Sequence, residues 1–289
     1  MREIFRLYTD VLIRVDQTER IIDQFNNNYV IFGCPANWIN YARTHDDGIA
    51  DKYEAICGHV GKNDKRLSMI CDDGVPLNAF RSLWNEEGPN DTVYVRYIYD
   101  CLTPAICFYS VNVKSKLKEK ASRVVIDLQE YYYSLGVKKE ECSILVILNV
   151  SRFLSELRDS IPIALANHHH INVDRFNNTC ILLAEDIHYD LDLNDEFFSI
   201  GSLKSIYHKL PKYSPQKEAR LIIPNVFFTS DPVYNPSAFS DNRLAVRVPE
   251  LKEYAHIINA SEADYLICGD YRKDTDDFGL KFVKEREKS

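Results

Sequence analysis

The chain has 289 residues, a 45% hydrophobic share, a formal net charge of −8 and a pI near 5.5. That is enough apolar material for one large core or two small ones, and it argues against a surface coated in basic charge for nucleic acid or anionic membrane. Eight cysteines are scattered without a C-x-x-C pair, several inside apolar runs. They read as small buried hydrophobes in a reducing cytoplasm, not as a disulfide framework or a zinc knot. No apolar signal core follows Met1, and no run approaches the ~20 apolar residues of a membrane span. The expectation is a soluble cytoplasmic protein with no membrane partner.

In chain order, the stretch 4–13 alternates loosely and predicts a first strand, Ile4-Phe5-Arg6-Leu7-Tyr8. Residues 17–28 predict a helix with Ile21, Ile22 and Phe25 on one side, ended by three asparagines. Tyr29-Val30-Ile31-Phe32 predicts a short strand, and Gly33-Cys34-Pro35 a turn out of it. The segment from Asn37 to Glu54 is rich in turn formers and aromatics and reads as a pocket wall or a surface loop. A helix is expected over 77–84, a strand over 92–100, and 105–111 as its hairpin partner after Pro104.

The basic run 114–120 reads as a solvated helical face, 121–128 as strand or helix, and 129–135 as helix. A buried strand is expected over 143–150, followed by a helix capped by Ser151. His168, His169 and His170 are adjacent, so they cannot converge on a metal and read as a polar loop. Residues 179–184 predict another buried strand, and the acidic stretch 186–196 a surface segment without calcium-loop spacing. A helix is expected over 194–210, and late strands over 242–248 and 264–268. Residues 273–289 read as a charged, frayed tail on a single domain spanning 1–289. With strands spread throughout and helices between them, the fold class is mixed α+β. No G-x-G-x-x-G, Walker A, G-x-S-x-G or H-E-x-x-H occurs, which removes many common enzyme classes.

The stretch that organises the functional reading runs from Lys212 to Pro224. A Ser-Pro turn signal leads into Gln216-Lys217-Glu218-Ala219-Arg220, then into the apolar run Leu221-Ile222-Ile223. In an extended chain Gln216, Glu218 and Arg220 point the same way. Two readings stand: a solvated strand face with a Glu–Arg pair, or a catalytic Glu at a strand end oriented by its neighbours.

The order of four segments resembles a bacterial family catalogued as a domain of unknown function, some of it associated with abortive infection. That family resembles a pattern of an early Tyr/Arg strand, a strand leading to Pro-x-x-Phe-Asn-Asp-x-x-Glu, a Cys-Phe-Ser strand, and a late Glu-x-Glu-x-Arg. The counterparts are Phe5-Arg6-Leu7-Tyr8, then Pro35 to Asn40 with the acidic end displaced to Asp51-Lys52-Tyr53-Glu54. Cys107-Phe108-Tyr109-Ser110 and Gln216-Lys217-Glu218-Ala219-Arg220 follow, with one extra residue in the first and Gln for the first Glu in the second.

This family in turn resembles ADP-ribosyltransferases in its order of elements. The resemblance implies largely antiparallel sheets with flanking helices and cleavage of the nicotinamide–ribose bond of NAD, here a substrate. It implies Glu218 at the ribose, Gln216 facing the acceptor and Arg6 on an NAD phosphate or the nicotinamide ribose, with Tyr8 or Phe32 stacked on nicotinamide. On the residues alone, Arg6 is equally an edge-strand ion pair, and Tyr8 and Phe32 read first as core. The implied role is a toxin or antiviral defence effector that modifies a macromolecule, protein or nucleic acid, and it leaves open an antitoxin or chaperone partner. Rival readings are an NAD hydrolase in the same pocket, a non-catalytic module that binds a ligand or partner, and a metal-dependent nuclease.

Overall fold

The protein is described from a computed structural model covering residues 4–7, 9–44, 51–63, 83–112, 124–127, 139–173, 182–192, 197–198, 203–229, 242–259, 265–268, 271–272 and 277–278. The first half begins with β1 (Ile4–Arg6), β2 (Val11–Gln17), helix α1 (Thr18–Asn26), β3 (Tyr29–Phe32) and helix α2 (Pro35–Thr44). It continues with β4 (Ile56–Gly61), β5 (Leu83–Glu87), β6 (Thr92–Tyr97), helix α3 (Ile98–Leu102), β7 (Ala105–Val111), β8 (Val124–Asp127) and β9 (Cys142–Ile147). Helix α4 (Val150–Ala166), β10 (Ile171–Val173), β11 (Leu183–Asp186), β12 (Phe197–Phe198), β13 (Glu218–Ile222) and β14 (Val226–Phe228) follow. The last elements are β15 (Leu244–Arg247), helix α5 (Leu251–Tyr254), β16 (Ala255–Asn259), β17 (Tyr265–Cys268), β18 (Tyr271–Arg272) and β19 (Asp277–Phe278).

Seven strands form one sheet in the order β1-β11-β13-β7-β2-β9-β16. Only β1 and β11 run parallel within it. A second, antiparallel sheet has the order β12-β4-β6-β5, and four strand pairs complete the structure. The architecture is mixed α+β with mostly antiparallel sheets. Among the described residues no helix is long and apolar enough to cross a membrane.

Alternation divides the sheet's two faces. Ala219 and Leu221 of β13 and Ile106 and Phe108 of β7 join the main hydrophobic core. Against that core α4 lays Val150, Phe153, Leu154, Leu157 and Ile161, a stripe at helical spacing. The opposite face of β13 carries Glu218 and Arg220, in register with Tyr109 and Cys107 of β7.

Strands β2 and β7 pair only from Val11↔Val111 to Ile13↔Tyr109. Beyond that point β2 continues along β9 to Gln17, while β7 continues along β13 to Ala105. Their far ends therefore diverge within one sheet, and a cavity opens in the fork.

Several sequence expectations need correction. The segment 105–111 is a strand but not the hairpin partner of β6. Helix α3 intervenes and carries the chain from the second sheet into the first, where β7 lies between β13 and β2. The helix expected over 194–210 is replaced, where described, by β12 and a 3-10 turn at Lys204–Ile206. Leu203 takes a left-handed φ of 56°, which breaks a helix. Beyond the turn, residues 207–209 hydrogen bond in extended form with His188.

Leu83 and Trp84, expected at a helix end, begin β5, and the rest of that expected helix lies outside the described residues. Helix α4 is capped by Asn149, not Ser151. The Asn149 side chain accepts the Arg152 N–H at 3.0 Å, so Val150 is already helical. Ile22, expected on the buried side of α1, is exposed. The segments 114–120 and 129–135 lie outside the described residues.

Candidate functional site

Four charged side chains meet on the non-core face of β13. Arg220, fully buried, donates from Nε and Nη2 to Glu218 Oε1 at 3.0 and 2.6 Å. Its other edge forks onto Glu54, with Nη1 to Oε2 at 2.9 Å and Nη2 to Oε1 at 3.1 Å. Nη1 also donates to the Ile206 carbonyl. All five guanidinium N–H groups are thereby engaged. The Lys209 ammonium donates to Glu218 Oε2 at 2.6 Å and to Gln216 Oε1 at 3.2 Å, and stands 3.1 Å from Glu54 Oε1. Two carboxylates and two cations cancel, which is what allows four buried charges to coexist.

The local chain explains each position. Residues Pro211–Gln216 form a 3-10 turn, and Lys217 takes a left-handed conformation (φ 43°) that ends it. Glu218 then begins the strand, its N–H held by the Tyr189 hydroxyl at 2.7 Å. Gln216 is therefore not part of the strand row expected from alternation. It rejoins Glu218 through Lys209, which both side chains accept from. Trp38 of α2 lies under Arg220, its ring 4.9 Å from the guanidinium carbon, a cation–π contact.

Burial pushes the Glu218 carboxyl up, but Arg220 and Lys209 outweigh it and hold the group below the ordinary carboxylate range. Glu218 is ionised at neutral pH. The same carboxylates raise Lys209 and Arg220 against the downward effect of burial. Cys107, opposite Arg220 in the sheet, has its thiol raised by burial and by the Glu218 charge, so it is not a thiolate.

The quartet forms the floor of a cavity of about 900 Å³ in the fork between β2 and β7. Trp38, Tyr41 and Tyr109 supply aromatic wall, and Arg14, Arg20 and Arg243 stand along it. Arg14 and Arg20 both pair with Asp16, at 3.2 and 3.6 Å.

The structure brings together Glu218 and Gln216 of the expected site. The Arg6 backbone pairs with Glu185, which pairs with Arg220, so Arg6 stands two strands away in the same register row. At ~4.8 Å per strand that is roughly 10 Å. Phe32 is fully buried in the main core, away from the cavity lining. Tyr8 lies outside the described residues. The segment from Asn37 to Glu54 takes the wall role of its two readings, through Asn37, Trp38, Tyr41 and Glu54.

Sequence reasoning missed Lys209 entirely, because it placed that residue in a helix. It named Glu54 only as a motif end and gave it no role. The one available signal for Lys209 was its place next to Leu210, just before the turn that carries Gln216. The chain matches no protein-family model, no curated protein and no solved structure.

Asp51 supports the turn beneath Glu54, accepting the Tyr53 N–H at 2.9 Å. Burial, then the Glu54 charge, pushes its carboxyl from 3.8 to about 6. A raised acid stabilises the fold while protonated and loses that contribution as pH climbs from the unfolded value through the folded one. Asp51→Asn, which keeps the turn acceptor, is therefore expected to be more stable than wild type above about pH 6, by about 2 kcal/mol. The two proteins should converge as pH falls toward 4. Urea denaturation at both pH values checks this, and an equal difference at both would contradict it.

Proposed function

We propose that the chain is an ADP-ribosyltransferase-like enzyme that cleaves the nicotinamide–ribose bond of NAD and passes ADP-ribose to a macromolecule, as a toxin or phage-defence effector. The observation that carries this reading is the donor count at the cavity floor. Every N–H of Arg220 is engaged, and Lys209 faces three oxygens. What faces a ligand is the Glu218 carboxylate, ionised and rigid, its oxygens already accepting from Arg220, Lys209 and the Cys107 thiol. Such a floor offers no free donor to an anion and sets a fixed negative charge beside a sugar that develops positive charge.

In this reading the negative charge of Glu218 faces the ribose and stabilises the oxocarbenium-like transition state. The C–N bond breaks with its electron pair going to nicotinamide, which leaves neutral. The acceptor nucleophile bonds to the same carbon and loses its proton to water. Trp38, Tyr41 and Tyr109 flank the rings, Arg14, Arg20 and Arg243 meet the phosphates, and Gln216 borders the acceptor side. A cavity of about 900 Å³ is at the upper end of ordinary ligand pockets, a size that suits a dinucleotide. The resemblance to ADP-ribosyltransferases supports the same chemistry.

A second reading has a specific observation behind it. Glu218 is only 7% exposed and both its oxygens are ion-paired, as in a structural network that stiffens a non-catalytic binding module. Purified protein incubated with labelled NAD and cell lysate separates the readings. Label on protein or nucleic acid supports transfer. Free ADP-ribose with no labelled macromolecule points to a hydrolase with water as acceptor. Intact NAD in every condition supports the binding module.

A further inference from the structure

We infer that Glu54, held in place by Arg96, determines the ligand class of the cavity floor by cancelling the charge of Arg220 and Lys209. This rests on the cavity being the ligand site, as proposed above, but not on which bond is cleaved there. Glu218 alone neutralises one of the two cations. The second negative charge comes from Glu54, 2% exposed, which takes Nη1 and Nη2 of Arg220 at 2.9 and 3.1 Å and stands 3.1 Å from Lys209. Without it, one N–H on each Arg220 Nη and one face of the Lys209 ammonium would lose their partner beside the cavity, with one positive charge left over. A planar guanidinium fork matches phosphate geometry, so the floor would become an anion site. With Glu54 present the floor is net neutral and offers no free donor to an anion, which leaves it to hydroxyl-bearing or cationic groups.

Glu54 does not hold this position by its own turn alone. Residues 51–54 lead into Ala55, fully buried with a left-handed φ of 55°, a conformation a non-glycine residue adopts only under constraint from its surroundings. The constraint includes Arg96 of β6, whose side chain is fully buried. Its Nε donates to the Glu54 carbonyl at 2.9 Å and its Nη2 to the Lys52 carbonyl. Its Nη1 is anchored on Glu86 of β5 at 2.7 Å. One guanidinium thus pins the turn that carries Glu54 to the second sheet, while the Glu54 carboxylate reaches the first. Arg96 is a positioning residue and Glu54 the specificity determinant.

The test is titration with inorganic pyrophosphate, read from Trp38 fluorescence in a Trp84→Phe background, since the chain has two tryptophans and Trp38 packs on Arg220. The protein with Glu54 and Arg96 intact is expected to show no response that Lys209→Met removes, any pyrophosphate held by Arg14, Arg20 and Arg243 being indifferent to that change. Glu54→Gln is expected to bind pyrophosphate at least about tenfold more tightly, and Arg96→Met to shift the same way by less. Saturable binding with Glu54 intact that Lys209→Met abolishes would overturn the inference. So would a folded Glu54→Gln or Arg96→Met variant whose affinity is unchanged. Should Glu54→Gln fail to fold, the Arg96→Met and unsubstituted arms still decide. None of these readouts requires NAD turnover, so loss of the proposed reaction and loss of this inference are distinguishable.

Discussion

Arg220→Met is expected to lower the unfolding free energy by about 3–5 kcal/mol, the largest stability effect of any single change to the site. The mechanism is orphaned charge. Arg220 engages both oxygens of Glu54 and one of Glu218, all but sealed from solvent. Its removal leaves two buried carboxylates facing Lys209 alone. The stability that the Glu218–Arg220 pair supplies is present above the ordinary carboxylate pKa and is lost as pH falls through the lowered folded value. Arg220→Met is therefore expected to flatten the acid limb of the stability curve.

A double variant, Arg220→Met with Glu218→Gln, tests the cause. Because the second change removes one orphaned charge, the two effects should be non-additive by about 1–3 kcal/mol in the stabilising direction. Urea denaturation of the four proteins gives the coupling directly. A loss under about 1 kcal/mol for Arg220→Met would mean that the strand is held by the surrounding apolar packing and the quartet contributes little.

The largest expected effect on activity is that of Glu218→Gln on NAD cleavage. The substitution keeps side-chain shape and one acceptor oxygen but removes the negative charge next to the sugar. A preorganised group aimed at developing charge is worth about 10²–10³ in rate, and that is the expected fall in turnover. NAD affinity should change far less, because the wall residues Trp38, Tyr41, Tyr109, Arg14 and Arg243 remain. Single-turnover rates beside equilibrium binding separate the two quantities. Equal losses in both would assign Glu218 a binding role only, and unchanged turnover would remove it from the chemistry altogether.

The sequence carried the elements more fully than their assembly. Alternation and apolar runs located β6, β7, β9, β13 and β15, and the polar–apolar spacing located α1, because those signals are local. Partnership is not local: β7 borders β13 in space although more than a hundred residues separate them in the chain. Glu218 and Arg220 were legible as neighbours on a strand face. Their burial was not, since nothing in Gln-x-Glu-x-Arg shows that a lysine and a distant glutamate will neutralise it. Lys209 was hidden by apolar spacing at Ile200, Leu203, Ile206 and Leu210 that imitates a helix, while the described part of that stretch serves other surfaces. Ile206 packs with Tyr207, Ile222 and Ala105, and Leu203 sits at a left-handed bend.

The assembly of the site also has a consequence in time. Its parts come from Trp38, Glu54, Cys107, Lys209 and Glu218, with Arg220 last, and the sheet that carries them closes with β16. A growing chain that has already emitted Trp38 and Glu54 needs well over a hundred more residues before Arg220 exists. At ~5–20 residues per second that is on the order of ten seconds or more during which the floor cannot form. Long-range pairing of this kind is also slow to fold after release. If the proposed activity is toxic, a ribosome-bound copy is harmless to the machinery making it, and any neutralising partner has that interval in which to meet the chain before the floor is complete.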